Sequence, residues 1–276
     1  MDAVSVLLEI SVFVIGLSIG SFLNVVIIRS REGETIRGRS HCRACKKTLS
    51  ARELIPIASF LLQKGRCRGC GTAFSLQYPL VELGTGLAFT AAAFLFPQDF
   101  LFDVRALTGF ILVCIGIAAG IVILVSDLRF QIIPNGAVFV LLILGIIRLF
   151  VVAKPPYGGL ASVTLVNHAS AYDIGFSIIF ALFFAGLWFF SQGKWMGFGD
   201  VKLTGATSLI VGFPVSIIAF LFSFWLGGIV GTILLLSSRK NWGRRIPFGP
   251  FILAGTALAF FISRIYPPFL FFFRFF

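Results

Sequence analysis

The chain has 276 residues, 58% of them hydrophobic before its 29 glycines are counted, and only 12% charged; soluble domains hold about 45–50% apolar residues with glycine included. This composition excludes a soluble globular fold, and disorder, collagen and coiled coil with it. The formal net charge of +12 therefore takes its meaning from where the charges lie.

In chain order, apolar stretches at 4–28, 79–97, 106–126, 136–153, 173–191, 201–213, 215–236 and 248–266 are separated by charged or Pro- and Gly-containing breaks that suit helix ends. Their lengths approach or exceed the roughly 20 residues that cross a hydrocarbon core. The prediction is an all-α polytopic membrane protein of about eight transmembrane helices. The sixth stretch ends before Pro214 and is short, so it is either a tilted helix or one merged with the seventh through a proline kink, which would reduce the count to seven. The first stretch lacks a basic start and carries Glu9, so it is expected to remain as a span and not to be removed as a signal. Residues 154–172 read as an outer loop, and the aromatic tail 266–276 suits the bilayer boundary.

Residues 29–70 hold eleven of the 23 Lys and Arg, opposed only by Glu32, Glu34 and Glu53. With the N-terminus outside, 17 basic residues fall on the cytoplasmic side, including Arg129, Lys194 and the cluster Arg239, Lys240, Arg244 and Arg245. Four fall outside, Arg105, Lys154, Arg264 and Arg274, a strong positive-inside asymmetry. The expected organisation is a first transmembrane helix at 1–28, a small cytoplasmic domain at 29–78 and a membrane domain at 79–276.

The cytoplasmic segment contains two CxxC pairs, Cys42/Cys45 and Cys67/Cys70, a layout that closes a tetrahedral four-thiolate zinc site. Leu54 to Leu62 form a candidate helical or extended insert between the pairs, and Gly65, Gly69 and Gly71 supply tight turns. A loop this small builds little core, so bound metal would supply much of its folding free energy. The bland alternative is reduced thiols or disulfides, and a cytoplasmic location disfavours the latter. His41 is read as a bystander and Cys114 as packing. Nucleic acid is not an expected partner, because only Phe60, Phe74 and Tyr78 lie near the basic residues; anionic lipid explains the charge as well.

Acidic residues in or beside spans are costly and hence informative. Asp127 closes the third apolar stretch at SDLRFQIIPN, and Asp200 opens the sixth at KWMGFGDVKL, so both are expected at the cytoplasmic rim. Two neighbouring carboxylates share a proton: the ionised one acts as base on a water while the protonated one polarises a carbonyl, the chemistry of peptide hydrolysis. Gly197 and Gly199 would let a substrate backbone approach Asp200. In the plain reading both are helix-end charges, Asp200 as an N-cap; Asp127, at a helix C-terminus, has the unfavourable sign for the dipole. Glu82, just inside the second stretch, is available to support catalysis, whereas Glu9 and Asp173 are expected near the outer boundary in contact with solvent. The competing class is a proton- or cation-coupled membrane carrier using the same two aspartates, which would predict an internal repeat that the two halves of the chain lack. A scaffold organised by the zinc loop is a third reading.

The blocks GSFLNVVIIR at 20–29, GRCRGCGTAFSLQYPLVE at 65–82, SDLRFQIIPN at 126–135, GFGDVKL at 197–203 and IPFGPFILAG at 246–255 together resemble the bacterial type IV prepilin peptidase family, whose GxGD motif is shared with other intramembrane proteases. The resemblance implies that Asp127 and Asp200 are the catalytic aspartates and that Cys42, Cys45, Cys67 and Cys70 bind the cytoplasmic metal. It also implies cleavage of a basic leader after glycine from prepilins or pseudopilins of type IV pili and type II secretion, on the cytoplasmic face of the inner membrane. Methylation of the new N-terminus by S-adenosylmethionine would follow. No glycine-rich cofactor fingerprint is visible, so the methyl-donor site rests on the resemblance alone, with Glu82 and the loop around Gly65 to Gly71 as contributors. Asn135 stands where many members have aspartate, with little loss of peptidase activity expected.

Overall fold

The computed structural model describes residues 3–96, 100–152, 168–237 and 246–265. The predicted outer loop, the basic cluster at 239–245 and the aromatic tail lie wholly or mostly outside these residues. The described residues form helices α1 (Ala3–Glu32), α2 (Ala58–Leu62), α3 (Gln77–Ala93), α4 (Val104–Phe130), α5 (Asn135–Val152), α6 (His168–Phe190), α7 (Phe198–Val211), α8 (Val215–Ser237) and α9 (Gly249–Ile265). Each of the eight apolar stretches is one helix, and the insert at 54–62 becomes the short α2 with a 3-10 turn at Ala51–Leu54 before it. Four helices, α1, α4, α6 and α8, are long and apolar enough to cross a membrane. The sixth and seventh stretches stay separate: Gly212, at φ +68°, ends α7, and α8 starts after Pro214.

Contacts divide the chain into two units, Met1–Val122 and Ile123–Phe276. In the first, α1 packs on α3 along small residues. A Cβ on Gly16 would lie 2.7 Å from Gly86 Cα, and one on Gly20 would lie 2.7 Å from Glu82 Cα, so the two backbones touch where a side chain would hold them apart. This Gly16-x-x-x-Gly20 pair is the small-residue packing pattern of membrane helices. Polar groups trapped in the seam pair with one another: Asn24, fully buried, donates to Gly20 O and Tyr78 O and accepts from Gln77 Nε2. At the end of α1 the buried Arg29 guanidinium donates to the carbonyls of Thr35, Arg37 and Arg39, fixing the chain's path into the cysteine loop. Cys114 packs beside Val12, Phe89 and Ala93, as a small apolar residue does.

In the second unit α7 is the central helix, touching α5, α6, α8 and α9. Its Leu203 and Ala206 are fully enclosed. Around it runs an aromatic lattice in which Phe180 stacks on Phe220 at 4.4 Å and Phe184 and Phe224 both reach Phe248. Asp173 corrects an expectation: it is not solvated. It is buried, paired with Arg148 at 2.8 Å, and accepts the Phe213 N–H at 2.6 Å. The same guanidinium reaches Leu209 O at the end of α7 and lies where a Cβ on Gly212 would be. An apolar environment leaves a carboxylate no cheaper option than a charged partner and a main-chain donor.

The α1–α3 seam gives a direct test. Gly20→Val forces a side chain into backbone and should cost about 1–3 kcal/mol, seen as a lower thermal transition of purified protein in detergent; an unchanged transition would contradict the close packing.

Candidate active site and metal centre

The cysteine loop is built twice. Cys42 N donates to Lys47 O and Lys46 N to Cys42 O; 25 residues on, Cys67 N donates to Thr72 O and Gly71 N to Cys67 O, all at 2.8–2.9 Å. The bridges His41–Thr48 and Arg66–Ala73 flank the two turns equivalently. The residue after each second cysteine has positive φ, which Gly71 adopts freely and Lys46, at φ 58°, adopts with strain. Two such turns face each other, so all four sulfurs lie within 4.8 Å of one another. Cys42–Cys70 is 3.8 Å and Cys45–Cys67 is 4.0 Å. A tetrahedron with metal–sulfur bonds of about 2.3 Å has edges of about 3.8 Å, whereas a disulfide needs about 2.05 Å. The four cysteines are thus spaced to hold one metal ion. His41 contributes only a backbone bridge to this motif.

The electrostatics agree. The Thr72 hydroxyl and N–H draw the Cys70 thiol down to about 6, and the Cys45 N–H draws Cys42 down. Cys45, despite the Lys47 N–H that favours its thiolate, is pushed up to about 11 by burial and its sulfur neighbours. Some thiolates form readily, but the full set resists ionising without a cation among them.

Glu82, in the same unit, secures this loop. Its carboxylate accepts the Ile57 N–H at 2.7 Å. Ile57 has φ 58° and ψ −52°, and Ala58 N bonds Pro56 O at 2.5 Å, which is a γ-turn of the strained, positive-φ kind. Sequence reasoning had no signal for this pairing.

In the second unit, Asp127 lies in the last turn of α4 and Asp200 in the first turn of α7; both are buried. Gly197, and not Asp200, is the N-cap of α7, and Asp200 Oδ2 reaches back to accept its N–H at 3.2 Å. Asp127 Oδ2 accepts the N–H of Gly249, the first residue of α9, at 3.0 Å. The unfavourable dipole at the end of α4 is thereby countered by the positive end of α9. A Cβ on Gly249 would be 2.6 Å from that oxygen, so a larger residue there would displace the carboxylate. Ile133 sits between the two helix starts, 2.9 Å from the Cβ position of Gly199 and 3.4 Å from that of Gly249. Ile133 thus lies against the glycine that precedes Asp200 and the glycine that holds Asp127. Asp200 Oδ1 is buried and accepts no hydrogen bond. Asn135 opens α5 and accepts from Lys202 Nζ at 2.5 Å, a role for which an amide oxygen serves. For Gly249 the only signal in the sequence is its place before Pro250 at a helix start, and Ile133 carries none.

The chain is a helical membrane protein with four thiols spaced for one metal ion and two enclosed carboxylates at helix ends. Residues 14–96 match the bacterial peptidase A24 N-terminal domain, and residues 114–232 match the type IV leader peptidase family. A prepilin leader peptidase/N-methyltransferase of Bacillus subtilis is 34% identical over 251 residues, covering 90% of this chain and 92% of the relative. A type 4 prepilin-like proteins leader peptide-processing enzyme of Escherichia coli is 31% identical over 273 residues, covering 91% and 93%. The enzyme of Aeromonas salmonicida with the same name as the Bacillus protein is 30% identical over 87% of this chain and 86% of its own length. No solved structure matches. The chain belongs to the type IV leader peptidase family and is a membrane peptidase.

Replacing Cys67 with Ser removes one of four ligands and should drop bound metal from about one ion per chain to a small fraction, with faster tryptic cleavage around residues 46–68. Metal analysis of purified protein reads the first effect and limited proteolysis the second; full occupancy in the variant would refute the four-sulfur site.

Proposed function

We propose that this protein is a bifunctional enzyme that removes the basic leader of prepilins or pseudopilins after a glycine, on the cytoplasmic side of the bacterial inner membrane, and then methylates the exposed amine with S-adenosylmethionine. The observation that carries the peptidase half is the pair of buried carboxylates, Asp127 and Asp200, each tethered by one oxygen to a glycine N–H at a helix start. One, ionised, takes a proton from water as its oxygen attacks the scissile carbonyl carbon. The other, protonated, donates to the carbonyl oxygen. Collapse of the tetrahedral intermediate breaks the C–N bond, and the amine leaves with a proton from the dyad. Holding one oxygen of each acid fixed leaves the other for water or substrate, and Asp200 Oδ1 is free of any protein donor.

In this reading the helices other than the short α2 make about eight spans, the fourteen-residue α7 as a short, tilted one, with the N-terminus outside, which puts the loop of residues 29–78, the C-terminal end of α4 and the N-terminal end of α7 in the cytoplasm. Zinc occupies the four-cysteine site and is structural. The methyltransferase half is supported by the names of the Bacillus subtilis and Aeromonas salmonicida relatives, both of which carry it.

Asp127→Asn and Asp200→Asn keep the side-chain shape and remove the titratable proton, so each should reduce leader cleavage at least about a hundredfold while the protein remains folded. Mass spectrometry of a prepilin-like substrate incubated with each variant in detergent reads this, and substantial cleavage by either variant would end the dyad reading. Omitting S-adenosylmethionine should leave cleavage intact and abolish the added methyl mass; a methylated product without donor would refute the second half.

A further inference from the structure

Neither leader cleavage nor methyl transfer calls on the short α2 or the turn before it. No charge lies between Glu53 and Lys64, where residues 54–63 read LIPIASFLLQ. Ile55, Leu61 and Leu62 are 50%, 68% and 75% exposed. The helix that carries two of them has five residues, far below the length of about 12–15 that is even marginal in water. Large apolar side chains exposed together mark a surface that something else covers.

The depth of the segment says what covers it. The Ile57 N–H is held by Glu82, and Glu82 lies against α1, its Cα 2.7 Å from the Cβ position of Gly20. Ile28 is the last apolar residue of α1 before Arg29, and Gly20 stands about 12 Å below it along a helix that rises 1.5 Å per residue. Since α1 is long and apolar enough to cross a membrane, the turn at Ile57 sits on the membrane side of its charged end. Phe22, close to that level on α1, is itself half exposed.

The backbone suits such a depth, where no water is at hand for a free amide. Ala58 N donates to Pro56 O, Ser59 N to Ile55 O, Leu61 N to Ile57 O and Gln63 N to Ser59 O. Glu82 takes the Ile57 N–H, which gives an acid in a helix seam a reason to be there. At the edges the charges are sorted. Glu53 turns inward onto Ser50, leaving Arg52 and Lys64, both exposed, to bracket the apolar run. Long basic side chains reach from apolar surroundings to headgroup phosphates.

We propose that residues 54–63 are an interfacial anchor that docks the cysteine loop on anionic lipid. Ile55, Leu61 and Leu62 enter the acyl boundary of the leaflet on the loop's side, and Arg52 and Lys64 take the headgroups. The anchor needs neither enzymatic activity and stands or falls apart from them.

The test uses full-length, metal-loaded protein with p-benzoylphenylalanine in place of Leu62, in nanodiscs of equal parts phosphatidylcholine and phosphatidylglycerol. After irradiation, intact-mass spectrometry reads the adducts. Lipid adduct should form with at least about half the yield of the same probe at Val14, exposed on α1. A lower yield, or crosslinks to a second copy of the chain instead, overturns the anchor. Leu62 is largely exposed, so the probe should leave metal content unchanged; where it does not, Leu61 carries the probe and the same criterion applies. Phosphatidylglycerol adducts should outnumber phosphatidylcholine adducts at least about threefold, and Arg52→Gln with Lys64→Gln should make them equal. Equal labelling with both cations present, or a preference that survives the double substitution, overturns the assignment of the headgroups.

Discussion

Burying a carboxylate without a partner costs several kcal/mol, and this chain meets that cost in one consistent way. The five buried acids among the described residues each accept a main-chain N–H from the start of a helix or a turn. Ser50 serves Glu53, Ile57 serves Glu82, Gly249 serves Asp127, Phe213 serves Asp173 and Gly197 serves Asp200. Each bond removes an orphan donor from a chain segment and a solvation debt from the acid. The acids therefore act as fasteners that decide where loops and helix starts come to rest, the metal loop included.

The two aspartates Asp127 and Asp200 differ from Asp173 and Glu53 in how little each acid receives. Asp173 has a guanidinium in addition to its N–H, and Glu53 has a hydroxyl. Asp127 and Asp200 receive one main-chain bond each, and no cation pairs with either among the described residues.

The parts of this architecture written locally were readable in advance. Apolar length set the helices, Gly212 and Pro214 separated α7 from α8, and the CxxC pairs announced the metal site. Asp127 and Asp200 stood out because charge is scarce in such surroundings. What could not be read was pairing over distance. Asp173 looked like a boundary residue because nothing near it in sequence shows that Arg148 comes back to meet it. Asp200 passed for an N-cap because the helix start differs by three residues from the one its carboxyl suggests. The glycines of α1 carried a recognisable spacing, but only α3 lying against them gives it meaning.

Fourteen residues make α7 about 21 Å long, well short of a hydrocarbon core of about 30 Å. Its start is tied through Asp200 and Gly197, its far end is clasped by Arg148, and other helices surround it. Mismatch with a thicker or thinner bilayer is relieved by tilt or bending of whichever segments touch lipid, and here those are the longer helices around α7. The acid at its tip is therefore insulated from lipid composition, and its depth is set by protein packing instead of by the membrane in which the enzyme works.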